Sequence, residues 1–169
     1  RRSAHTSGMP SGVAIAAPER FQVTTGNDGY PYVRTGPVDA VTDARLIHVL
    51  FPTQPSAWES RPDVTALAET ADAAVVAVLR RDGSGCADDI FLRHTDPDGA
   101  AIVAGAFESD SRAAVATTCN EGDLTKLFVS GGAAVSRDGR VLVAGLQPES
   151  PFEVKFNGDR VEVSGEINT

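Results

Sequence analysis

The chain has 169 residues, of which 41% are hydrophobic and 22% charged, and a formal net charge of −8. This balance describes a folded domain with a real core rather than a disordered chain. The acidic excess disfavours nucleic acid or an anionic membrane as partner, since both require clustered Lys and Arg, while a local basic patch still admits a polyanionic glycan.

The chain opens with Arg1-Arg2, without a Met or a visible signal peptide, which reads as a piece of a longer chain. No apolar run approaches the roughly 20 residues of a spanning helix. Residues 1–11 form an irregular arm ahead of a single domain over 1–169. Gly12–Ala17 is a short apolar segment stopped by Pro18, and Arg20–Thr25 alternates as a strand. Gly26-Asn27-Asp28-Gly29 is a turn, and Tyr30–Arg34 carries Pro31, which restricts it to a sheet edge broken by Gly36-Pro37.

Ala44–Pro52 is the most hydrophobic run. Its β-branched and aromatic content and its closing Pro predict a strand buried on both faces, with His48 in its middle. A Pro-rich loop with the only tryptophan, Trp58, follows. Val64–Asp72 is the one stretch with helical spacing, enough for one or two turns, with Asp63 as cap.

From Ala73 onward, strands and turns alternate every 8–12 residues: Ala74–Arg80, Asp89–His94, Ala100–Phe107, Arg112–Thr118, Leu124–Ser130, Ala133–Ser136 and Arg140–Ala144. Phe152–Phe156 and Arg160–Ser164 pair across Asn157-Gly158-Asp159, the strongest hairpin signal. The expectation is an all-β antiparallel β-sandwich: two stacked sheets, roughly ten or more strands and at most one or two short helices.

Few residues carry chemistry. His48 is read as structural, a buried neutral histidine held by a backbone carbonyl or a hydroxyl, with catalysis as the alternative. His5 and His94 lie in turn-rich context with no metal-ligand spacing. Asp96-Pro97-Asp98-Gly99 and Asp88-Asp89 offer oxygens to calcium but lack the remaining ligands of a calcium loop. Gly131-Gly132 lacks the Lys of a phosphate loop, so no cofactor or metal is implied. Tyr30 and Tyr32 either line a sugar-binding groove or pack at a sheet edge, and Trp58 either stacks on a sugar or anchors its loop. Cys86 and Cys119 are too few for a disulfide scaffold. Their parity favours one bridge in a secreted or periplasmic protein over two buried thiols.

Arg45-Leu46-Ile47-His48-Val49-Leu50-Phe51-Pro52-Thr53 resembles a strand in the C-terminal β-sandwich of heparinase II/III-like polysaccharide lyases. The order of elements over 44–165 is similar too. The resemblance implies an acidic, uronic-acid-containing polysaccharide as partner, cleaved by β-elimination in the full-length protein, and an N-terminal helical toroid as companion domain. No residue here matches the family's catalytic motifs, so this portion alone is expected to be inactive. The alternative is a stand-alone carbohydrate-binding or adhesion module.

Overall fold

The structure is a computed structural model and describes residues 3–4, 11–17, 21–27, 31–40, 45–52, 55–95, 99–120, 122–145, 147–148, 151–165 and 167–168. The chain groups into two compact units, Arg1–Val64 and Thr65–Thr169, each taken by itself below. It is all-β, an antiparallel sandwich, and the only helix among the described residues is a 3₁₀ segment, Pro55–Ser60.

In the first unit β1 (Ser3–Ala4), β2 (Ser11–Ala17), β3 (Phe21–Asn27), β4 (Pro31–Pro37) and β5 (Ile47–Pro52) form two small antiparallel sheets, ordered β1-β2-β5 and β3-β4. Gly36 and Pro37, expected to break the chain, end β4 in register with β3 (Phe21↔Pro37). Among the described residues the β3–β4 sheet has two strands, so β4 is an edge strand, where Pro is tolerated. β5 is not buried on both faces as expected. It alternates: Ile47, Val49 and Phe51 turn inward, while His48 is exposed and Leu50 is 73% exposed.

The second unit is the sandwich proper. β6 (Asp63–Glu69), β7 (Ala73–Leu79), β8 (Ala87–Arg93), β11 (Ala113–Cys119), β12 (Asp123–Ser130), β16 (Phe152–Asn157) and β17 (Arg160–Ser164) build a seven-stranded sheet, ordered β17-β16-β12-β11-β8-β7-β6. A second sheet, ordered β14-β13-β10-β9, holds β9 (Ile102–Ala104), β10 (Phe107–Ser109), β13 (Val135–Arg137) and β14 (Arg140–Val143). β15 (Gln147–Pro148) and β18 (Ile167–Asn168) pair with each other.

Two expectations fail here for local reasons. Val64–Asp72 is not helical. It is β6 and its turn, closed by Thr70, whose hydroxyl accepts from the backbone N–H groups of Asp72 (3.2 Å) and Ala73 (3.0 Å). Pairing with β7 outweighs the helical spacing. Ala100–Phe107 is not one strand but a hairpin, because Gly105 adopts φ +55° and reverses the chain with Ala106, leaving Ala104 opposite Phe107.

The core follows from the ladder register. Val75, Phe91, Ala114, Val129 and Phe152 stand in one row across five strands, all buried. The next row on the same face runs Ala77, Asp89, Ala116, Leu127, Val154, Val163. Ala114 is the small residue of the first row and Ala77 and Ala116 those of the second, and Phe107, Ala104 and Val135 of the opposing sheet complete the cluster.

Two sharp corners carry the chain between the sheets, from β10 to β11 and from β12 to β13, and they are bound to each other. Asp110 Oδ1 accepts the backbone N–H of Ala133 and of Ala134, both at 2.9 Å. The buried hydroxyls of Ser109 and Ser111 lie 2.7 Å apart, and Ser109 donates to the Ala134 carbonyl at 2.8 Å. Gly132 passes so close that a Cβ would meet the Ser111 backbone and lie 2.6 Å from Asp110 Oδ1.

Cys86 and Cys119 form a disulfide, with Cα atoms 4.1 Å apart, joining the start of β8 to the end of β11.

Gly132→Ala should lower stability by about 1–3 kcal/mol through overpacking at the corner, read as a lower urea midpoint with an unchanged slope. Replacing both cysteines by Ala should cost ~3–4 kcal/mol, the chain-entropy value for the 33-residue separation. Thiol titration of denatured, unreduced protein should find no free thiol.

Candidate functional site

The concave site of the second unit lies at one end of the sandwich. Two hairpins and a bulge build it. The β13–β14 hairpin turns through Asp138 (φ 51°) and Gly139 (φ 72°), the two positive values of a type I′ turn. Its tip is fastened by the Asp138 N–H, which donates to the Ala106 carbonyl at 2.8 Å. This register sets Arg137 directly opposite Arg140. The row Ala104, Phe107, Arg137, Arg140 lies on the inner face, so both guanidinium groups start from the core side of the sheet.

The facing wall comes from β12 and β16. The β11–β12 register shifts after Thr117, leaving Thr125 as the extra residue of a bulge. Its hydroxyl donates to the Thr117 carbonyl at 3.2 Å and lies 3.6 Å from Cys119 Sγ, so the disulfide supports this rim. Leu124, Leu142 and Phe156 supply the apolar lining of a cleft of about 540 Å³, with Asn120, Asp123 and Arg140 as its polar groups. A second hollow of about 370 Å³ shares Leu124, Arg140 and Leu142 and extends to Arg137 and Asp138.

The two arginines differ in partners. Arg137 Nη2 lies 2.6 Å from Asp89 Oδ2 across the sandwich. Its Nε is buried, 3.7 Å from Asp138 Oδ2, and has no hydrogen-bond acceptor among the described residues. Arg140 is exposed and forms no ion pair among the described residues. Like charges directly opposite on a ladder repel, and only one of the two is neutralised. The outcome is a cleft with apolar walls, one unneutralised guanidinium and one orphaned N–H donor.

Asp89 is the charged member of an otherwise apolar core row. Burial pushes its carboxyl above the ordinary value, Arg137 pulls it back, and Asp138 and Asp88 add to the rise. Asp88, its neighbour, projects to the other face. There Arg80 grips it through Nε (3.0 Å) and Nη2 (2.8 and 2.7 Å), and the Thr117 hydroxyl donates to it at 2.7 Å. Asp88 and Asp89, two of the carboxylates considered for calcium, therefore serve separate ion pairs on opposite faces, while Asp96 and Asp98 fall outside the described residues. Among the described residues no group of three His, Cys, Asp or Glu is placed to hold a metal.

The residues singled out in the sequence lie elsewhere. His48 is exposed, not buried between sheets, because β5 shows one face to solvent; its Nε2 lies 2.7 Å from Thr35 Oγ1, one of the two partner types considered. Trp58 is half-buried, its ring 6.1 Å from Phe51 and capped by Arg61 at 5.0 Å. Arg61 Nη1 also donates to the Trp58 carbonyl at 3.0 Å. These contacts tie Trp58 to Phe51 and Arg61. Tyr32 lies in β4 opposite Gly26, and Tyr30 and His5 fall outside the described residues. His94 is half-buried, its backbone N–H donating to the Asp72 carbonyl at 2.7 Å. The sequence points to Asp89 only as a calcium ligand, and to Arg137, Arg140 and Phe156 not at all as site residues. Their one local signal was the pair of arginines flanking Asp138-Gly139.

Because the native state holds the Asp89 proton more tightly than the unfolded chain, its contribution to stability is fullest below the ordinary carboxylate pKa. It is lost as pH rises through the raised value. The stability of the protein relative to its Asp89→Asn variant should therefore fall as pH rises from below the ordinary carboxylate pKa through the raised one, measured by urea unfolding across a pH series.

A comparison with protein-family models finds no match for this chain, and a comparison with curated proteins finds none either.

Proposed function

We propose that the second unit is a carbohydrate-binding sandwich, not catalytic by itself, that takes a uronic-acid residue of an acidic polysaccharide in the cleft under Arg140. The observation that carries this reading is the ladder pair Arg137–Arg140 at an apolar-walled cleft, with one guanidinium neutralised and the other open. A sugar acid matches that surface. Its carboxylate accepts from Arg140 in a charge-assisted bond, its C–H face lies on Phe156 and Leu142, and its hydroxyls meet Asn120 and Asp123.

The disulfide supports an oxidising compartment, secreted or periplasmic. Among the described residues no helix is long and apolar enough to cross a membrane. The resemblance of 45–53 to a lyase strand supports a companion reading, in which this module is the distal sandwich of a larger polysaccharide lyase and shores up its cleft.

Titrating the protein with a purified oligouronate, followed by amide shifts, should perturb Leu124, Leu142 and Phe156. Arg140→Ala should weaken binding by about 10-fold or more, the value of one charged hydrogen bond. A neutral oligosaccharide of the same length should bind less well. Absence of binding, or binding indifferent to Arg140→Ala, would refute the site. Unsaturated uronate released by this chain alone would refute the non-catalytic reading.

A further inference from the structure

We infer that β17 is a self-association edge, through which two copies of this chain join strand to strand about a two-fold axis. β17 is the outermost strand of the seven-stranded sheet and, among the described residues, pairs with β16 alone. All five of its residues are exposed. Its inner-face residues continue the core rows: Val163 stands opposite Val154, and Val161 opposite Phe156. Yet Val154 is 4% exposed, while Val161 and Val163 are 60% and 46% exposed. The opposing four-stranded sheet ends at β14 and does not cover them.

Uncovered sheet edges are commonly protected by Pro, Lys, an inward charge or a bulge. β17 has none of these. Its ladder to β16 runs without a shift from Glu153↔Ser164 to Asn157↔Arg160, and its charged residues, Arg160 and Glu162, lie on the outer face. The edge therefore keeps a straight row of backbone donors and acceptors beside an apolar stripe.

The charges on β17 select both the partner and the register. A two-fold axis perpendicular to the sheet keeps each face on its own side, so it can pass only through the level of one residue. Centred on Glu162, the pairing opposes two carboxylates. Centred on Val163, it sets Glu162 against Ser164. Centred on Val161, it sets each Arg160 against Glu162 of the second copy and Val161 against Val161. Only this register gives two opposite-charge pairs on the outer face and an apolar contact on the inner one. The complement of this edge is thus the edge itself, and the product is one continuous antiparallel sheet across two sandwiches.

The test is sedimentation equilibrium of the whole chain, disulfide intact, over a wide concentration range. The expected result is a reversible monomer–dimer equilibrium. Val161→Lys, at an exposed site, should leave a folded monomer, with folding checked by near-ultraviolet circular dichroism. Glu162→Arg should weaken the dimer by about tenfold or more, and adding Arg160→Glu should restore it. A monomer at every concentration would overturn the inference. So would a dimer indifferent to Val161→Lys, or a double charge swap that fails to restore association.

Discussion

The sandwich depends on the bond between its two corners. A single carboxylate oxygen, Asp110 Oδ1, accepts from two successive backbone N–H groups, of Ala133 and Ala134, in the opposite crossover. Where a chain leaves one sheet for another, its backbone groups lose their ladder partners and must be satisfied some other way. Here each corner supplies what the other lacks. The Ser109–Ser111 hydroxyl pair and the Ala134 carbonyl complete the arrangement, so buried polar groups at the sheet junction are paired rather than orphaned. Gly132 is the steric condition for it, since any side chain there would push the corners apart.

From that junction the packing propagates in rows. The corner fixes which residues of β11 and β12 face inward, because a slip of one residue would turn every side chain over. With Ala114 and Val129 inward, the register places Phe91 and Phe152 in the same row and Phe107 above it, its ring 6.1 Å from Phe91. Asp89 falls in the second row as a consequence. A carboxylate there is tolerable only because the opposing sheet brings Arg137 to it.

Much of this was legible in the chain. Strand spacing and turn residues located β7, β8, β11, β12, β14, β16 and β17 to within a residue or two, since Gly and Asp at the reversals and β-branched residues between them are local signals. In 64–72 the helical spacing is overridden by pairing with β7, and in 100–107 Gly105 reverses a run whose apolar residues read as one strand. Burial of His48 was inferred from apolar neighbours, but burial depends on what lies across each face of the strand. The cleft was illegible because Leu124, Arg140 and Phe156 come from three strands that only topology brings together, and none matches a motif.

The cleft's rigidity follows from where its parts are anchored. Arg137 and Arg140 flank a type I′ turn, so their spacing is set by backbone geometry rather than by side-chain packing. The opposite rim, with Asn120, Asp123, Leu124 and Thr125, follows the disulfide and is held by the bulge at Thr125. Asp89 matters to both. It lies opposite Ala116 on the disulfide-bearing strand β11, and it pairs with Arg137. Without that carboxylate the two guanidinium groups would compete for the same space and counter-charge. With it, one arginine is neutralised across the sandwich and the other keeps its charge at the cleft. The electrostatic character of the site is therefore decided inside the sandwich, by a residue that does not line the cleft.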